Sequence, residues 1–284
     1  MTDKISTAGE LLDLMQHEFR QHGMEEADAE AVAILAELLD CDRLRAKLDR
    51  SRQIPDELCL RGLEIIRRRL TDEPWQYIFQ RAYFRDLTLK VNPSVLIPRP
   101  ETEVLVDWCL QQLPKNGHLL DIGTGSGAIA LSVATERRDA IVTACDISSQ
   151  ALETARANQL GNAVNNVNFV QSDLFSALTG KKFDLIAANL PYVTESEYAA
   201  LSPEVRNHEP KLALTSGDDG LDLIRQTIKQ AHDFLKFRGA IILEMSPWQT
   251  DIAAQLFSEA LCWTAIEILR DYTGRNRFVA ARLR

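Results

Sequence analysis

The stretch Asp121-Ile-Gly123-Thr-Gly125-Ser-Gly127 decides the fold of this chain. It follows an apolar run at 118–122 and leads into a second apolar run with helical spacing, so it predicts a tight turn from a strand into a helix. Glycines at such a turn let a ligand approach bare backbone, and the turn therefore predicts a binding site. Gly123, Gly125 and Ala128 also satisfy the loose dinucleotide fingerprint, so the turn alone leaves a nicotinamide cofactor and S-adenosyl-L-methionine both open.

The chain around this turn has the pattern of an α/β domain. From about residue 104, helical segments alternate with short apolar runs, which is typical of a parallel sheet covered by helices on both faces. Seven runs are expected to be strands: 118–122, 141–145, 167–170, 183–188, 240–245, 264–269 and 277–281. The connection between the last two is too short for a parallel crossover, so these two should pair antiparallel. We expect a Rossmann-like seven-stranded sheet within residues 94–284.

The first part of the chain has a helical pattern instead. Thr7 is followed three positions later by Glu10, the spacing of a capping box at a helix start. Apolar stripes with helical spacing continue from there, so residues 1–73 are predicted to form a small helical bundle. The run Arg67-Arg68-Arg69 is interpreted as a solvated helix face rather than a nucleic-acid contact.

A second change of pattern follows Pro74. Trp75, Tyr77 and Phe79 alternate with other residues, and so do Leu87 and Leu89 before Val91. Alternation with period two is typical of half-buried strands. Residues 74–93 are therefore predicted to be a β-hairpin linker between the bundle and the α/β domain.

Composition excludes several classes of protein. The 284 residues carry a formal net charge of -9, which disfavours binding of nucleic acid by bulk phosphate neutralisation. The five cysteines are scattered without C-x-x-C spacing, so neither a disulfide framework nor a metal site is expected. The N-terminus lacks the order of a signal peptide, and no apolar run approaches the length of a membrane span. We expect a cytoplasmic protein without a membrane or direct nucleic-acid partner.

Polar residues follow several of the predicted strands. Asp146 ends the second strand of the sheet, where its carboxylate could accept hydrogen bonds from both hydroxyls of a ribose or could cap the next helix. Asp173 and Leu174 follow the third, where an acid beside an apolar side chain could bracket an adenine ring. In open α/β sheets the carboxyl edge is the place where ligands bind.

The fourth strand ends in Asn189-Leu-Pro-Tyr192, a motif that favours S-adenosyl-L-methionine over a nicotinamide cofactor. The side-chain oxygen of Asn189 and the backbone oxygen of Leu190 can each accept one N–H of a planar amino group, while Tyr192 stacks on its plane. An amide nitrogen is a poor nucleophile, so two acceptors that favour positive charge on it would stabilise a transition state more than the ground state. Such a site suits methyl transfer to nitrogen, for which placement matters more than a strong base.

The glycine turn together with Asn189-Leu-Pro-Tyr192 resembles class I S-adenosylmethionine-dependent methyltransferases that act on planar nitrogen. Val95-Leu-Ile-Pro-Arg-Pro-Glu-Thr-Glu103, preceded by Pro74-Trp-Gln-Tyr-Ile-Phe79, is similar to the protein-glutamine N5-methyltransferases of the PrmC/HemK type. These enzymes modify class I peptide-chain release factors. The resemblance spans nearly the whole chain, and it implies the glutamine of a Gly-Gly-Gln loop as substrate. An exposed loop glutamine offers too little surface for selection by the pocket alone, so we expect the helical bundle to recruit the release factor.

The same resemblance implies the roles of individual residues. S-adenosyl-L-methionine would contact Gly123, Thr124, Gly125, Ser126, Gly127, Asp146, Asp173, Leu174 and Asn189. The target amide would lie on Asn189, Leu190, Pro191 and Tyr192. The Arg99-Pro-Glu-Thr-Glu103 segment either has a structural role alone or also borders the methyl-donor pocket.

Three positions depart from the family pattern. Leu190 replaces the first of two prolines, Gln80 stands where glycine is usual, and Ser246 follows Glu244-Met where the family has glycine. Asn-Leu-Pro-Tyr is also typical of ribosomal-RNA adenine dimethyltransferases, although these usually carry a basic surface and begin the glycine turn with Glu. The alternatives are therefore an adenine N6-methyltransferase acting on ribosomal RNA, or a non-catalytic module that binds the cofactor or a release factor.

Overall fold

The computed structural model describes residues 5–284, and these divide into two compact units. One unit holds the N-terminal residues up to Gln80 together with Pro203–His208. The other holds Arg81–Ser202 and Glu209–Arg284. The assignment of Pro203–His208 to the first unit lies outside the domain boundaries expected from the sequence.

The secondary-structure elements are numbered here in chain order. The helices are α1 (Ala8–His22), α2 (Ala27–Leu39), α3 (Arg43–Leu48), α4 (Asp56–Arg69), α5 (Trp75–Phe79), α6 (Thr102–Gln112), α7 (Ala128–Glu136), α8 (Ser149–Gly161), α9 (Glu195–Ala200), α10 (Pro203–His208), α11 (Asp222–Ala231) and α12 (Thr250–Glu259). The strands are β1 (Ala82–Phe84), β2 (Leu87–Leu89), β3 (His118–Ile122), β4 (Ile141–Asp146), β5 (Val167–Gln171), β6 (Phe183–Ala188), β7 (Leu235–Glu244), β8 (Trp263–Arg270) and β9 (Asn276–Leu283).

The capping box at the start of α1 is confirmed. The Thr7 hydroxyl accepts from the Glu10 backbone N–H at 3.2 Å, and the Thr7 N–H donates to the Glu10 carboxylate at 3.0 Å. The two bonds satisfy N–H groups that have no partner within the helix. The apolar stripe that follows packs against α2 and α4, with its largest members Leu11, Leu12, Met15 and Phe19 buried among Ile34, Leu35 and Ile66.

The interpretation of the arginine run as a solvated face is wrong for its last member. Arg69 is only 2% exposed; its guanidinium pairs with Glu30 and, at 3.1 Å, with Glu204 of α10. Successive residues on a helix are rotated by about 100°, so three in a row cannot share one face. Arg67 faces solvent, whereas Arg69 faces the interior of the unit, where its charge is paired.

The predicted strand over Trp75, Tyr77 and Phe79 is also wrong, because these residues form helix α5. Trp75 and Phe79 lie one turn apart and their rings meet edge to face with centroids 6.3 Å apart. Over only five residues, alternation does not distinguish a strand from a helix, because residues four apart, such as Trp75 and Phe79, also share one helical face. Pro74 suits the position at a helix start. The hairpin is formed by β1 and β2 instead, with Leu87 and Leu89 buried on one side.

The seven-stranded sheet is confirmed, with the strand order β5-β4-β3-β6-β7-β9-β8. Neighbours from β5 to β7 run parallel, while β9 pairs antiparallel with both β7 and β8. Strand β7 begins at Leu235, five residues before the expected 240, and ends at Glu244. The sequence pattern missed its start because the register shifts there and the polar residue Arg238 has a left-handed φ of 60°.

Helices cover both faces of this sheet. Side chains alternate along the strands, so Leu119 and Leu185 join one buried cluster with α6 and α7, whereas Leu120 and Ile186 join the other with α11 and α12. The chain leaves β3 toward β4 and β5 and then returns to β6 on the other side of β3. The carboxyl ends of β3 and β6 therefore form a topological switch point, the place where open sheets bind ligands.

Within residues 5–284, no helix is both long enough and apolar enough to cross a bilayer.

Gln80 ends α5 with a left-handed φ of 52°, a conformation that favours glycine. The strain of roughly 1–2 kcal/mol for a side chain there is partly offset by the greater chain entropy of glycine, roughly 0.4–1 kcal/mol. We therefore expect Gln80→Gly to raise the free energy of unfolding by about 1 kcal/mol, measured by urea titration. Gln80→Ala is the matched control, since it shortens the side chain but keeps the strain. A Gly variant no more stable than the Ala variant would contradict the assignment of strain.

Candidate active site

A cavity of about 320 Å³ opens at the switch point of the sheet. Its wall combines the glycine turn after β3, the ends of β4, β5 and β6, and the segment that precedes α6. The lining residues include Val95, Pro98, Arg99, Thr102, Gly123, Thr124, Gly125, Ser126, Asp146, Ser172, Asp173, Leu174, Asn189, Leu190 and Pro191. The structure therefore brings most of the residues singled out in the sequence to one cavity.

The glycine turn has the backbone conformation that only glycine adopts freely. Gly123, Gly125 and Gly127 have φ values of 71°, 55° and 86°. The N–H groups of Gly123 and Thr124 both donate to the carbonyl of Cys145 on β4, at 2.8 and 3.0 Å. A Cβ atom at Gly125 would meet no atom within 4 Å, so the backbone there faces open space in the cavity.

Two carboxylates hold this turn in place. Asp121 is fully buried below it and accepts from the Thr124 hydroxyl at 2.6 Å and from the Ala130 N–H at 3.2 Å. These hydrogen bonds lower the pKa of Asp121, but burial has the larger effect and raises it to about 7. Asp146 accepts from the Gly125 N–H at 2.9 Å and from the Ser148 N–H at 2.9 Å.

Asp146 is not the cap of the next helix. That position belongs to Ser148, whose hydroxyl accepts from the Ala151 N–H at 3.1 Å. The carboxyl group of Asp146 lines the cavity, and burial raises its pKa despite the two backbone hydrogen bonds. Each oxygen of a carboxylate has a second lone pair, so this group can still accept from a ligand.

Asp173 and Leu174 lie at the same edge, after β5. Asp173 is exposed, whereas Leu174 is buried with a left-handed φ of 45°, and both line the cavity. Ser172 holds this turn, because its hydroxyl donates to the Leu174 carbonyl at 2.9 Å and accepts from the Ala177 N–H at 3.0 Å.

Asn189 follows β6, in line with the glycine turn on the neighbouring strand. The pairing of Ile122 with Ala188 puts Gly123 and Asn189 at matching positions of β3 and β6. The Asn189 side-chain Nδ2 donates to the Thr102 hydroxyl at 3.2 Å, which leaves its Oδ1 as the free acceptor. The Leu190 side chain is buried, and a Cβ atom at Gly123 would lie 3.2 Å from it.

Tyr192 has a different place from the other three residues of its motif. Its hydroxyl accepts from the Arg277 guanidinium at 2.8 Å, and that guanidinium also lies 5.3 Å from the centre of its ring. Burial raises the pKa of Tyr192 to about 12. Asn189, Leu190 and Pro191 line the cavity; Tyr192 is not among the residues of the described chain that do.

Gln249 holds the backbone of this motif, and the sequence did not point to it. Its fully buried side chain donates through Nε2 to the Tyr192 carbonyl at 2.9 Å and to the Asp219 carbonyl at 3.1 Å. Its Oε1 accepts from the Ser246 N–H at 3.0 Å. Ser246 has an ordinary φ of −63°, so the glycine expected there from the family pattern is not required by the backbone.

The Arg99-Pro-Glu-Thr-Glu103 segment borders the cavity through Arg99 and Thr102. The buried carboxylate of Glu209 fixes it, pairing with Arg99 at 2.6 Å and accepting from the Ile97 N–H at 3.2 Å. Glu209 was missed in the sequence because it lies 110 positions away from Arg99 and follows no recognisable strand.

Among residues 5–284 there is no group of three or more His, Cys, Asp or Glu side chains that could hold a metal ion. The five cysteines are free thiols.

Comparison with known families gives two matches along the chain. Residues 10–79 match the family described as PrmC N-terminal domain, and residues 100–207 match the family described as Methyltransferase small domain. Among solved structures, a methyltransferase from Pyrococcus furiosus superimposes with a TM-score of 0.54 at 18% identity, covering 81% of this chain and 98% of that one. This likeness shows a shared fold.

Similar proteins of known name cover the whole chain. A release factor glutamine methyltransferase of Nitratidesulfovibrio vulgaris is 36% identical, over 96% of this chain and 95% of the relative. A protein of the same name from Geobacter sulfurreducens is 35% identical, over the full length of both chains. With this identity across both units, the chain belongs to the release factor glutamine methyltransferase family.

Proposed function

We propose that this protein transfers the methyl group of S-adenosyl-L-methionine to the side-chain amide N5 of the glutamine in the Gly-Gly-Gln loop of class I peptide-chain release factors. The observation that carries the proposal is the orientation of Asn189. With Nδ2 bound to Thr102, the side chain offers its oxygen at the cavity, one strand away from the glycine turn. An oxygen acceptor there suits an amino group that carries hydrogen, as a carboxamide does.

The residues of the turn fit the methyl donor. The bare backbone at Gly125 borders open space, Asp146 has lone pairs left for ribose hydroxyls, and Leu174 offers an apolar surface beside the exposed Asp173 for the adenine ring. Gly123, Thr124 and Ser126 would complete the cradle; Gly127, packed against Leu131 and Ala155, is not among the described residues that line the cavity and would only shape the turn. When bound there, the sulfonium supplies an electrophilic methyl carbon: the N–C bond forms as the C–S bond breaks, sulfur keeps the electron pair, and the amide releases one proton.

The protein's own contribution to this reaction is placement and charge stabilisation. Asn189 Oδ1 and the Leu190 carbonyl would each accept one N–H of the substrate amide and fix the direction of the nitrogen. Both acceptors gain strength as positive charge develops on nitrogen, so they favour the transition state over the ground state. Pro191 stiffens the turn. Tyr192, which is engaged by Arg277 and is not among the described residues that line the cavity, would act by supporting this turn rather than by stacking on the amide.

The alternatives are less well supported. A ribosomal-RNA substrate was suggested by Leu190, but a backbone carbonyl does not depend on its side chain, and the chain carries a net charge of -9. A non-catalytic module was suggested by Leu190, Gln80 and Ser246. Leu190 is buried beside the glycine turn, Ser246 has an ordinary backbone conformation, and Gln80 lies in the other unit.

We further propose that the helical unit recruits the release factor, in the cytoplasm where translation takes place. A loop glutamine offers too little surface for selection by the cavity alone. Leu44 and Leu48, one turn apart on α3, are 67% and 69% exposed. Adjacent exposed apolar side chains are typical of surfaces that bind another protein. They offer an apolar contact for a protein partner.

The proposed reaction is tested with labelled donor and an unmethylated class I release factor, followed by peptide mass spectrometry. We expect label on the glutamine of the Gly-Gly-Gln loop. A release factor with that glutamine replaced by alanine is the control and should stay unlabelled. Label on ribosomal RNA and none on the release factor would support the adenine alternative, and donor binding without transfer would support the non-catalytic one.

For Asn189→Ala we expect turnover to fall by about 10²- to 10³-fold, the usual loss when one preorganised hydrogen-bond partner of a transition state is removed. The measurement is kcat with the release factor as substrate. Asn168→Ala, which removes an exposed asparagine from edge strand β5, is the matched control and should behave as wild type. Near-normal turnover of Asn189→Ala would remove this residue from the mechanism.

For the double variant Leu44→Gln/Leu48→Gln we expect the KM for the intact release factor to rise about tenfold, since two buried leucines in an interface contribute on the order of 1–2 kcal/mol. Glutamine keeps the helix propensity of α3. The kcat should stay unchanged, because α3 is not part of the cavity. Leu160→Gln on α8, which replaces a leucine 82% exposed in the other unit, is the control. An unchanged KM for the double variant would exclude this surface.

A further inference from the structure

The orientation of Asn189 needs an explanation, because a side-chain amide can turn over and exchange its oxygen with its nitrogen. Turned over, Asn189 would present N–H groups to the N–H groups of the substrate amide, and the contact would be repulsive. Thr102 is the residue that distinguishes the two orientations. Its hydroxyl, 4% exposed at the start of α6, lies 3.2 Å from Asn189 Nδ2.

The hydroxyl of Thr102 could itself serve either orientation, because it can accept or donate. Once it accepts from Asn189 Nδ2, its own proton must point to another acceptor. The neighbouring carboxyl group is that of Glu244: burial raises its pKa, and the nearby Thr102 hydroxyl opposes that rise. An acceptor at this place keeps the hydroxyl proton away from Asn189 and leaves the hydroxyl lone pairs for Nδ2.

Glu244 lies in line with Asn189 on the next strand. The pairing of Ala188 with Leu243 puts Asn189 and Glu244 at matching positions, where β6 and β7 end. Glu244 is 1% exposed, and neither of its oxygens has a hydrogen bond of regular geometry within the described chain. Burying an unsatisfied carboxylate is costly, so its place beside the site calls for a role.

Several charged groups act on this carboxyl. Burial, the largest effect, and the charge of Glu101 raise the pKa of Glu244. The Thr102 hydroxyl and the cations of Arg277 and Arg99 lower it, and the resulting pKa is about 7. Tyr192, the other titratable neighbour, has its pKa raised to about 12 by burial and stays neutral near pH 7. Glu244 is thus the member of this group that changes charge near neutral pH.

We infer that Thr102 and Glu244 are positioning residues for the proposed methyl transfer. They act as a relay in which the substrate amide donates to Asn189, Asn189 donates to Thr102, and the Thr102 hydroxyl proton is directed toward the buried carboxyl group of Glu244, which is unpartnered within residues 5–284. The inference rests on the proposed function. All donors in the relay point toward Glu244, so the bonds polarise one another in the same direction. The negative charge of Glu244 increases the electron density on Asn189 Oδ1, where positive charge develops on the substrate nitrogen.

The first test uses Thr102→Val, which keeps the shape of the side chain and removes the hydroxyl, beside Thr102→Ser, which keeps the hydroxyl. We expect kcat of the Val variant to fall by about 10- to 100-fold, the usual effect of a residue that orients a reacting group. The affinity for S-adenosyl-L-methionine, measured by calorimetry, should stay unchanged in both variants. The Ser variant should keep most of the wild-type kcat.

Three results would overturn the role of Thr102. They are a Val variant with wild-type kcat, a Ser variant as slow as the Val variant, and a loss of donor affinity that matches the loss of kcat. The proposed function fails separately, because in that case the wild-type protein itself transfers no methyl group to the release factor.

The second test is the pH profile of kcat between about pH 6 and pH 8. Since the relay needs the ionised carboxylate, the wild-type kcat should rise with pH through about 7 and then level off. Glu244→Gln, with no charge to titrate, should be slower at high pH and should lose this rise. Asp121 also has a pKa raised to about 7, but it is unchanged in the variant. A Glu244→Gln profile that rises like the wild type would assign the titration to another group and overturn the role of Glu244.

Discussion

Parallel pairing of β3 with β6, and of β6 with β7, is the constraint on which the site depends. The register aligns Ile122 with Ala188 and Ala188 with Leu243, so Gly123, Asn189 and Glu244 leave the sheet side by side. A slip by one residue would turn every side chain of a strand to the opposite face of the sheet. Side chains that fit one hydrophobic core would then face the other core. Because both faces of the sheet are buried, packing on each side holds the register, and with it the alignment of the three residues.

Two buried carboxyl groups flank the strand that carries Asn189. Asp121 on β3 and Glu244 on β7 both have pKa values raised to about 7 by burial, but their surroundings differ. Asp121 accepts two regular hydrogen bonds and braces the glycine turn, whereas neither oxygen of Glu244 has a regular hydrogen bond within residues 5–284. Buried carboxyl groups lower the free energy of unfolding. They can also orient polar neighbours that would rotate freely in an apolar core.

The three departures from the family pattern differ in their physical consequence. Leu190 keeps the backbone carbonyl that the proposed reaction uses, and its side chain fills space against Gly123. Ser246 has an ordinary backbone conformation and donates its N–H to Gln249. Gln80 alone of the three adopts a left-handed φ, which any side chain other than glycine occupies at a cost. The site in the second unit is thus free of strain from these substitutions.

Local pattern determined a large part of this protein. The glycine turn, the strand alternation and the motif after β6 predicted a Rossmann-like sheet and the residues that meet at its carboxyl edge, because turn chemistry and burial have short-range signals. The same signals gave wrong predictions at two places. The short segment Trp75–Phe79 is a helix and not a strand, and Arg69, in a run of arginines that extends around a helix, is buried and not solvated.

Only the tertiary structure decided which side chains hold the segments around the cavity in place. Thr102, Glu209 and Gln249 come from distant parts of the chain, and single polar residues of these types are common in any sequence. Their role depends on which strand lies beside which and on the exclusion of water around them, neither of which has a sequence signal. The sequence therefore determined the elements and the ligand-facing motifs, and long-range packing determined the orientation of the Asn189 amide.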